Sequence, residues 1–334
     1  MVDIDYGAIV KKSWAITKRQ KWLWIYGLVL AVFGGSGGGG GGSNFNLSSG
    51  SSKTIKELPK EVPKQMAQVL GETTNLITQW FAHIPPATWI TVILVLAAVV
   101  LLGIFSAMVI RSWAKAALIT ALSHANETEV VTLSQSSRSS MQKILPLILF
   151  GILAGLLILG IMIGSTTVAG LGYLLFMRTP ILKIIWIILA VIAVFLTVIC
   201  TAAIMAAGTV YGERLIVLEN MSPIAALKRG FGLGKNQFIP TLVMGIINSA
   251  ISCSVGCLSL VGIALILGIP GFILVLPSIM NRQFPPLFNI FGLGTLVILY
   301  FYINYLITAI LTVFTYSNWN LLFKEVIRQE KNEK

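Results

Sequence analysis

Residues 211–238 read YGERLIVLENMSPIAALKRGFGLGKNQF, and part of this charged island occurs a second time in the chain. Residues 10–20 read VKKSWAITKRQ and residues 227–237 read LKRGFGLGKNQ. An offset of 217 therefore preserves the order apolar, Lys, basic, small, aromatic, small, apolar, small, Lys, polar, Gln. Each copy runs at once into a hydrophobic stretch. A basic helix that lies on a membrane surface and then turns into the bilayer accounts for both.

The composition places that membrane. Of 334 residues 56% are hydrophobic and only 11% charged, and the mean hydropathy of +0.87 belongs to an integral membrane protein. A net charge of +12 would suggest nucleic acid in a soluble protein. Here the basic residues flank apolar runs, where they face anionic lipid and set orientation, so no nucleic-acid partner is expected. Cys200, Cys253 and Cys257 all fall in predicted spans and read as small packing residues, not a disulfide framework.

Outward from the two islands, hydrophobic runs give spans at 22–38, 87–110, 144–166, 184–208, 239–265 and 288–316. The first run, 22–33, rises only roughly 18 Å as a helix against a hydrocarbon core of about 30 Å, so it must continue into the glycines that follow or thin the bilayer. A basic segment, a short apolar core and small residues also describe a signal peptide. Trp22, Trp24, Tyr26 and the recurrence of the basic helix favour an uncleaved span. Residues 34–86 form an outer loop, Gly/Ser-rich over 34–52 and amphipathic-helical over 62–81, where Val62, Met66, Val69, Leu70 and Thr73 recur at helical spacing. Two runs are ambiguous. Gly164, Ser165 and Thr166 interrupt 144–176, and Gly268, Pro270 and Gly271 interrupt 239–280, so 164–180 and 268–285 are candidate re-entrant segments.

Charge distribution chooses between six crossings and eight. With six, and the N-terminus inside, inner segments hold 17 of the 24 Lys and Arg; with eight they hold 15. The repeat agrees, since two like basic helices leading into spans belong on one side and need an even number of crossings between them. The expected fold is all-α: one integral membrane domain over 1–334, six transmembrane helices arranged as three hairpins. Each hairpin is preceded by a cytoplasmic amphipathic surface segment, at 5–21, 134–143 and 221–237. Both termini are cytoplasmic and the membrane is the plasma membrane.

Chemistry is scarce. No ionisable residue lies in the middle of a span, which argues against carboxylate-coupled ion transport. Thr197, Thr201, Asn248, Ser249, Ser252 and Asn304 line a cavity or hydrogen-bond between helices. Gly151 with Gly155, Gly160 with Gly164, Ala202 with Ala206 and Ala203 with Ala207 are small-xxx-small pairs that favour close helix contact. His83 and His124 fall on opposite sides of the membrane, and Cys253 and Cys257 have no His or carboxylate beside them, so no metal, cofactor or catalytic constellation is expected. Gly230, Gly232, Gly234 and Lys235 mimic a phosphate loop, but Ser13, Ala15 and Thr17 replace the glycines in the other copy. The basic residues are the candidate lipid-headgroup ligands: Lys11, Lys12, Lys18, Arg19, Lys228, Arg229 and Lys235, each contributing about 1 kcal/mol of attraction to anionic lipid. Glu213, Arg214 and Glu219 are candidate structural ion-pair residues holding the surface helices against the spans.

ERLIVLEN followed by SPIAALKRGFGLGKNQF resembles a signature of a broad, largely uncharacterised group of bacterial and archaeal polytopic membrane proteins. The group includes the membrane domain attached to some glycerophosphoryl diester phosphodiesterases. The opening DYGAIVKKSWAITKRQKWLWIYG is similar to the start of many of its members. The resemblance implies a six-span membrane domain and no activity, because in those phosphodiesterases catalysis belongs to a separate soluble barrel. The expectation is a non-catalytic, lipid-associated scaffold that recruits a membrane or cytoplasmic protein partner. The alternative is a permease-like protein carrying an uncharged or amphipathic solute between hairpins.

Overall fold

The computed structural model describes residues 4–33, 86–125, 133–176, 178–280 and 287–332. The Gly/Ser-rich stretch 34–52, the expected helix 62–81, His83 and residues 281–285 lie outside the described residues. Among the described residues the chain is all-helical. Helix α1 is Tyr6–Arg19, α2 Leu23–Phe33, α3 Pro86–His124, α4 Leu133–Met141 and α5 Ile144–Leu175. Then come α6 Pro180–Leu218, α7 Pro223–Asn236, α8 Phe238–Ile263, a π-helical turn Ala264–Gly268, α9 Ile269–Met280 and α10 Leu287–Asn332.

Local chemistry explains the boundaries. Asp5 caps α1 by accepting the Ala8 N–H at 2.9 Å, and Lys18 and Arg19 sit in its last turn, where the helix dipole favours cations. Prolines open α3, α6 and α7 at the first helical turn, where the missing N–H costs no helix bond. Between α6 and α7 the chain reverses at Asn220, whose φ of 57° is left-handed, and the Met221 N–H returns to the Leu215 carbonyl at 3.3 Å.

Among the described residues five helices are long and apolar enough to cross a membrane: Thr88–His124, Ile144–Leu175, Ile181–Leu218, Phe238–Leu274 and Phe291–Asn332. Helix α2 is apolar but short, ending where the glycine run begins. Both interruptions read from the sequence are bridged. In α5 the helix continues through Gly164–Ser165–Thr166, and the Ser165, Thr166 and Thr167 hydroxyls are satisfied within it by donating back to the carbonyls of Met162 and Ile163. Ahead of Pro270, whose nitrogen has no proton to give, the chain takes a π turn and stays helical into α9.

The chain divides into two compact units, one of residues 1–43 and 108–334 and the other of 44–107. In the second, residues 88–107 of α3 expose an apolar surface that includes Ile93, Leu94, Leu101 and Leu102. In the first, burial inverts the usual pattern. Large apolar side chains in the long helices, such as Leu156, Ile188, Val191 and Leu258, are exposed, as lipid-facing residues are. The buried cluster gathers at the ends of the long helices: Ala114–Leu122 of α3, Tyr211–Val217 of α6 and Val313–Val326 of α10, with Ile16, Leu23, Tyr26 and Ala226 from α1, α2 and α7. Helices α1 and α2 pack on α10, and α7 packs on α6.

Candidate functional site at the polar helix ends

The ends of α3, α6 and α10 run past their apolar stretches, and polar side chains there link one helix to another. Lys115 of α3 forms an ion pair with Glu213 of α6, with 11% and 14% of the two side chains exposed. Next to it Arg214 is 1% exposed. Its guanidinium donates to the Val210 carbonyl at 2.7 Å and the Tyr316 carbonyl at 3.4 Å, and its carbon stands 5.8 Å from the Tyr316 ring centre. Carbonyl dipoles and an aromatic face thus surround a buried cation, on the side of α10.

Neutral pairs extend the network. The Asn318 amide donates to the Asn248 carbonyl oxygen at 2.7 Å, joining α10 to α8. Asn320 Nδ2 and Lys324 Nζ donate to the backbone carbonyls of Ile119 and Ser123 at 3.0 and 2.6 Å, joining α10 to α3. Tyr211 and Thr241 hydroxyls meet at 2.8 Å between α6 and α8, and Tyr26 reaches Ser136 at 3.2 Å between α2 and α4. Away from water such bonds are electrostatically stronger, and losing one partner leaves the other stranded.

The candidate headgroup residues are exposed on their helices, with one exception. Lys11, Lys12, Lys18 and Arg19 are exposed on α1, while Ser13, Ile16 and Thr17 are buried. Lys228 and Lys235 are exposed on α7, while Ala226, Gly230, Leu233 and Gly234 are buried. Arg229 is the exception: it bridges Glu219 at 2.7 Å and Glu330 at 3.3 Å, tying the end of α6, α7 and the tail of α10 together. Of the three candidate ion-pair residues, Glu213 takes Lys115 and Glu219 takes Arg229, whereas Arg214 spends its donors on carbonyls.

Sequence reasoning missed Asn318, Asn320, Tyr211 and Tyr316. The signal was the polar run YSNWN at 316–320, four hydrogen-bonding side chains and a Trp directly after an apolar span. The small-residue expectation is corrected for four positions: a Cβ at Gly151, Gly155, Gly160 or Gly164 would meet nothing within 4 Å. Close approach occurs elsewhere. A Cβ at Gly230 would stand 2.7 Å from the Gly208 carbonyl oxygen and 2.9 Å from the Gly212 nitrogen, so α7 lies on α6 backbone to backbone. Of the residues offered as cavity lining, Asn248 bonds to Asn318, and Asn304 and Tyr300 of α10 converge on Ser259 of α8. Ser249 lines a groove of about 590 Å³ between α6 and α8, with Ala203, Ala207, Thr241 and Trp319.

The three cysteines are exposed and unpaired. Among the described residues no group of three or more His, Cys, Asp or Glu could hold a metal ion.

No curated protein and no solved structure matches the chain. A family of unknown function, DUF7544, matches residues 14–322, and nothing in that match links the chain to glycerophosphoryl diester phosphodiesterases. The match takes in the first basic island from Trp14 on, the second island and the long apolar helices as far as Leu322, so the chain belongs to this family of unknown function.

Proposed function

We propose that the protein is a non-catalytic plasma-membrane scaffold whose cytoplasmic basic helices hold anionic lipid headgroups and present a platform to a protein partner. In this reading α2 is the sixth crossing. The six form three hairpins, α2 with α3, α5 with α6 and α8 with α10, each preceded by a surface helix, α1, α4 and α7, and both termini are cytoplasmic.

The observation that carries it is the likeness of α1 and α7. The offset of 217 that aligns their sequences also aligns their bounds, Tyr6–Arg19 with Pro223–Asn236. It pairs buried Ser13, Ile16 and Thr17 with buried Gly230, Leu233 and Gly234, and exposed Lys11 and Lys18 with exposed Lys228 and Lys235. Two helices that bury one face on the helix ends and turn lysines outward are built to lie at a headgroup layer, each lysine adding about 1 kcal/mol. The polar network supports a structural role, since Lys115 and Glu213 pair with each other and Arg214 and Lys324 donate to backbone carbonyls.

The test is gentle extraction followed by quantification of co-purified phospholipid. Replacing Lys12, Arg19, Lys228 and Lys235 together by Gln is expected to remove the enrichment of anionic over zwitterionic lipid. Unchanged enrichment contradicts the reading. The groove between α6 and α8, which belong to different hairpins, favours the second reading, a permease-like protein for an uncharged or amphipathic solute. A stoichiometric small solute that survives the four substitutions and is lost on Ser249→Phe would replace the scaffold reading with that one.

A further inference from the structure

A second groove, of about 660 Å³, lies between α1, α8 and α10. Its walls are apolar: Ile251 of α8 and Ile310 and Phe314 of α10 among them, with Trp14 across its α1 side, where the indole meets the Phe314 ring edge-on at 5.9 Å. Its extent along α10, from Ile307 to Phe314, is roughly 10 Å at the rise of an α-helix. The single charged side chain among those that line it is Lys11. Lys18, two helical turns further on, is exposed on the same side of α1.

The corresponding place under α7 is shut. There Gly230 rests on the backbone of Gly208 and Gly212, and the Phe231 ring, the counterpart of Trp14, lies against Gly208. In α1 the counterpart of Gly230 is Ser13, and Trp14 stays 54% exposed above Phe314.

We propose that this groove is a binding site for one anionic phospholipid, an acyl chain lying along Ile251, Ile310 and Phe314 and the phosphate on Lys11. The charge fits: Lys11 is the one charged side chain among those that line the groove, and the Asp5 carboxylate close to Gly7 is held by the Ala8 N–H. Moving an acyl chain from bilayer to groove gains nothing from water, so preference must come from the headgroup contact and from packing. This makes the site selective for charge, and it rests on the headgroup-binding reading while adding a discrete stoichiometric site to it.

The experiment titrates delipidated protein in maltoside micelles with phosphatidylglycerol carrying brominated acyl chains, reading the fluorescence of Trp14 as the difference between the protein and its Trp14→Phe variant. Quenching is expected to saturate near one lipid per protein. Phosphatidylcholine with the same chains should bind about fivefold more weakly, as should phosphatidylglycerol to Lys11→Gln, the loss expected for one basic contact. Ile251→Phe and Val255→Phe fill the groove and should abolish saturable quenching. Lys11 is exposed, so Lys11→Gln folds even if a filled groove does not. Lys228→Gln should change nothing. Equal weakening by Lys11→Gln and Lys228→Gln, or quenching without saturation, overturns the groove site and leaves the diffuse headgroup reading standing. No preference for phosphatidylglycerol in any variant overturns both.

Discussion

Lys115 and Glu213 are 98 positions apart and tie α3 to α6, so breaking the pair asks whether the polar helix ends hold the molecule together. Lys115→Met strands the Glu213 carboxylate, and Glu213→Gln strands the Lys115 ammonium. Stranding one partner of a buried pair costs about 3–5 kcal/mol. With 11% and 14% of the side chains exposed, some hydration remains, and about 2–3 kcal/mol for each single variant is the expected loss. The double variant removes both charges of the pair and should lose about 2 kcal/mol, because a buried ion pair replaced by uncharged groups of similar size is often near neutral while buried Arg214 loses the carboxylate beside it. The coupling between the two sites is then about 3 kcal/mol, at the top of the range for residues in contact. Denaturation in mixed micelles with rising dodecyl sulfate, followed by circular dichroism, measures all four proteins. A double variant as unstable as the sum of the singles would refute the pairing.

Four further outcomes follow from the packing and the polar contacts. Gly230→Ala should destabilise by about 1–3 kcal/mol through collision with the Gly208 and Gly212 backbone. Gly232→Ala, where the added Cβ meets nothing within 4 Å, should instead gain up to about 1 kcal/mol of helix propensity in the same denaturation assay. Asn318→Leu leaves the Asn248 amide buried without its partner and should cost about 1–3 kcal/mol, with Asn248→Leu/Asn318→Leu recovering part of it. Arg229→Gln should cost about 1 kcal/mol or less, because its side chain is 38% exposed, while hydrogen exchange at α7 amides rises as the link to Glu330 is lost.

The long apolar helices were legible because hydropathy integrates over many residues and survives local interruptions. The interruptions themselves misled. A hydroxyl that bonds back to its own helix, as Thr166 does, reads as polar in sequence yet is satisfied within the helix, and the π turn before Pro270 leaves no compositional mark. The basic islands gave the bounds of α1 and α7 closely, since cap residues, basic ends and the repeat all coincide there. Partner choice was not legible. The pairing of Lys115 depends on how three distant helix ends converge. Glycines show the same limit: Gly151 to Gly164 have the spacing of a packing stripe and face open space, while Gly208, Gly212 and Gly230, from two helices, make the close contact.

The account stands on α1, α4 and α7 lying on one side of the membrane. Single cysteines in a chain whose Cys200, Cys253 and Cys257 have been replaced by Ala test this directly, using an impermeant maleimide on intact cells and on opened membranes. Lys18→Cys, Ser137→Cys and Ser222→Cys should label only after opening, and Arg178→Cys should label on intact cells. Labelling of Ser222→Cys from the outside while Lys18→Cys stays protected would contradict the six-crossing account and separate the two basic helices onto opposite faces.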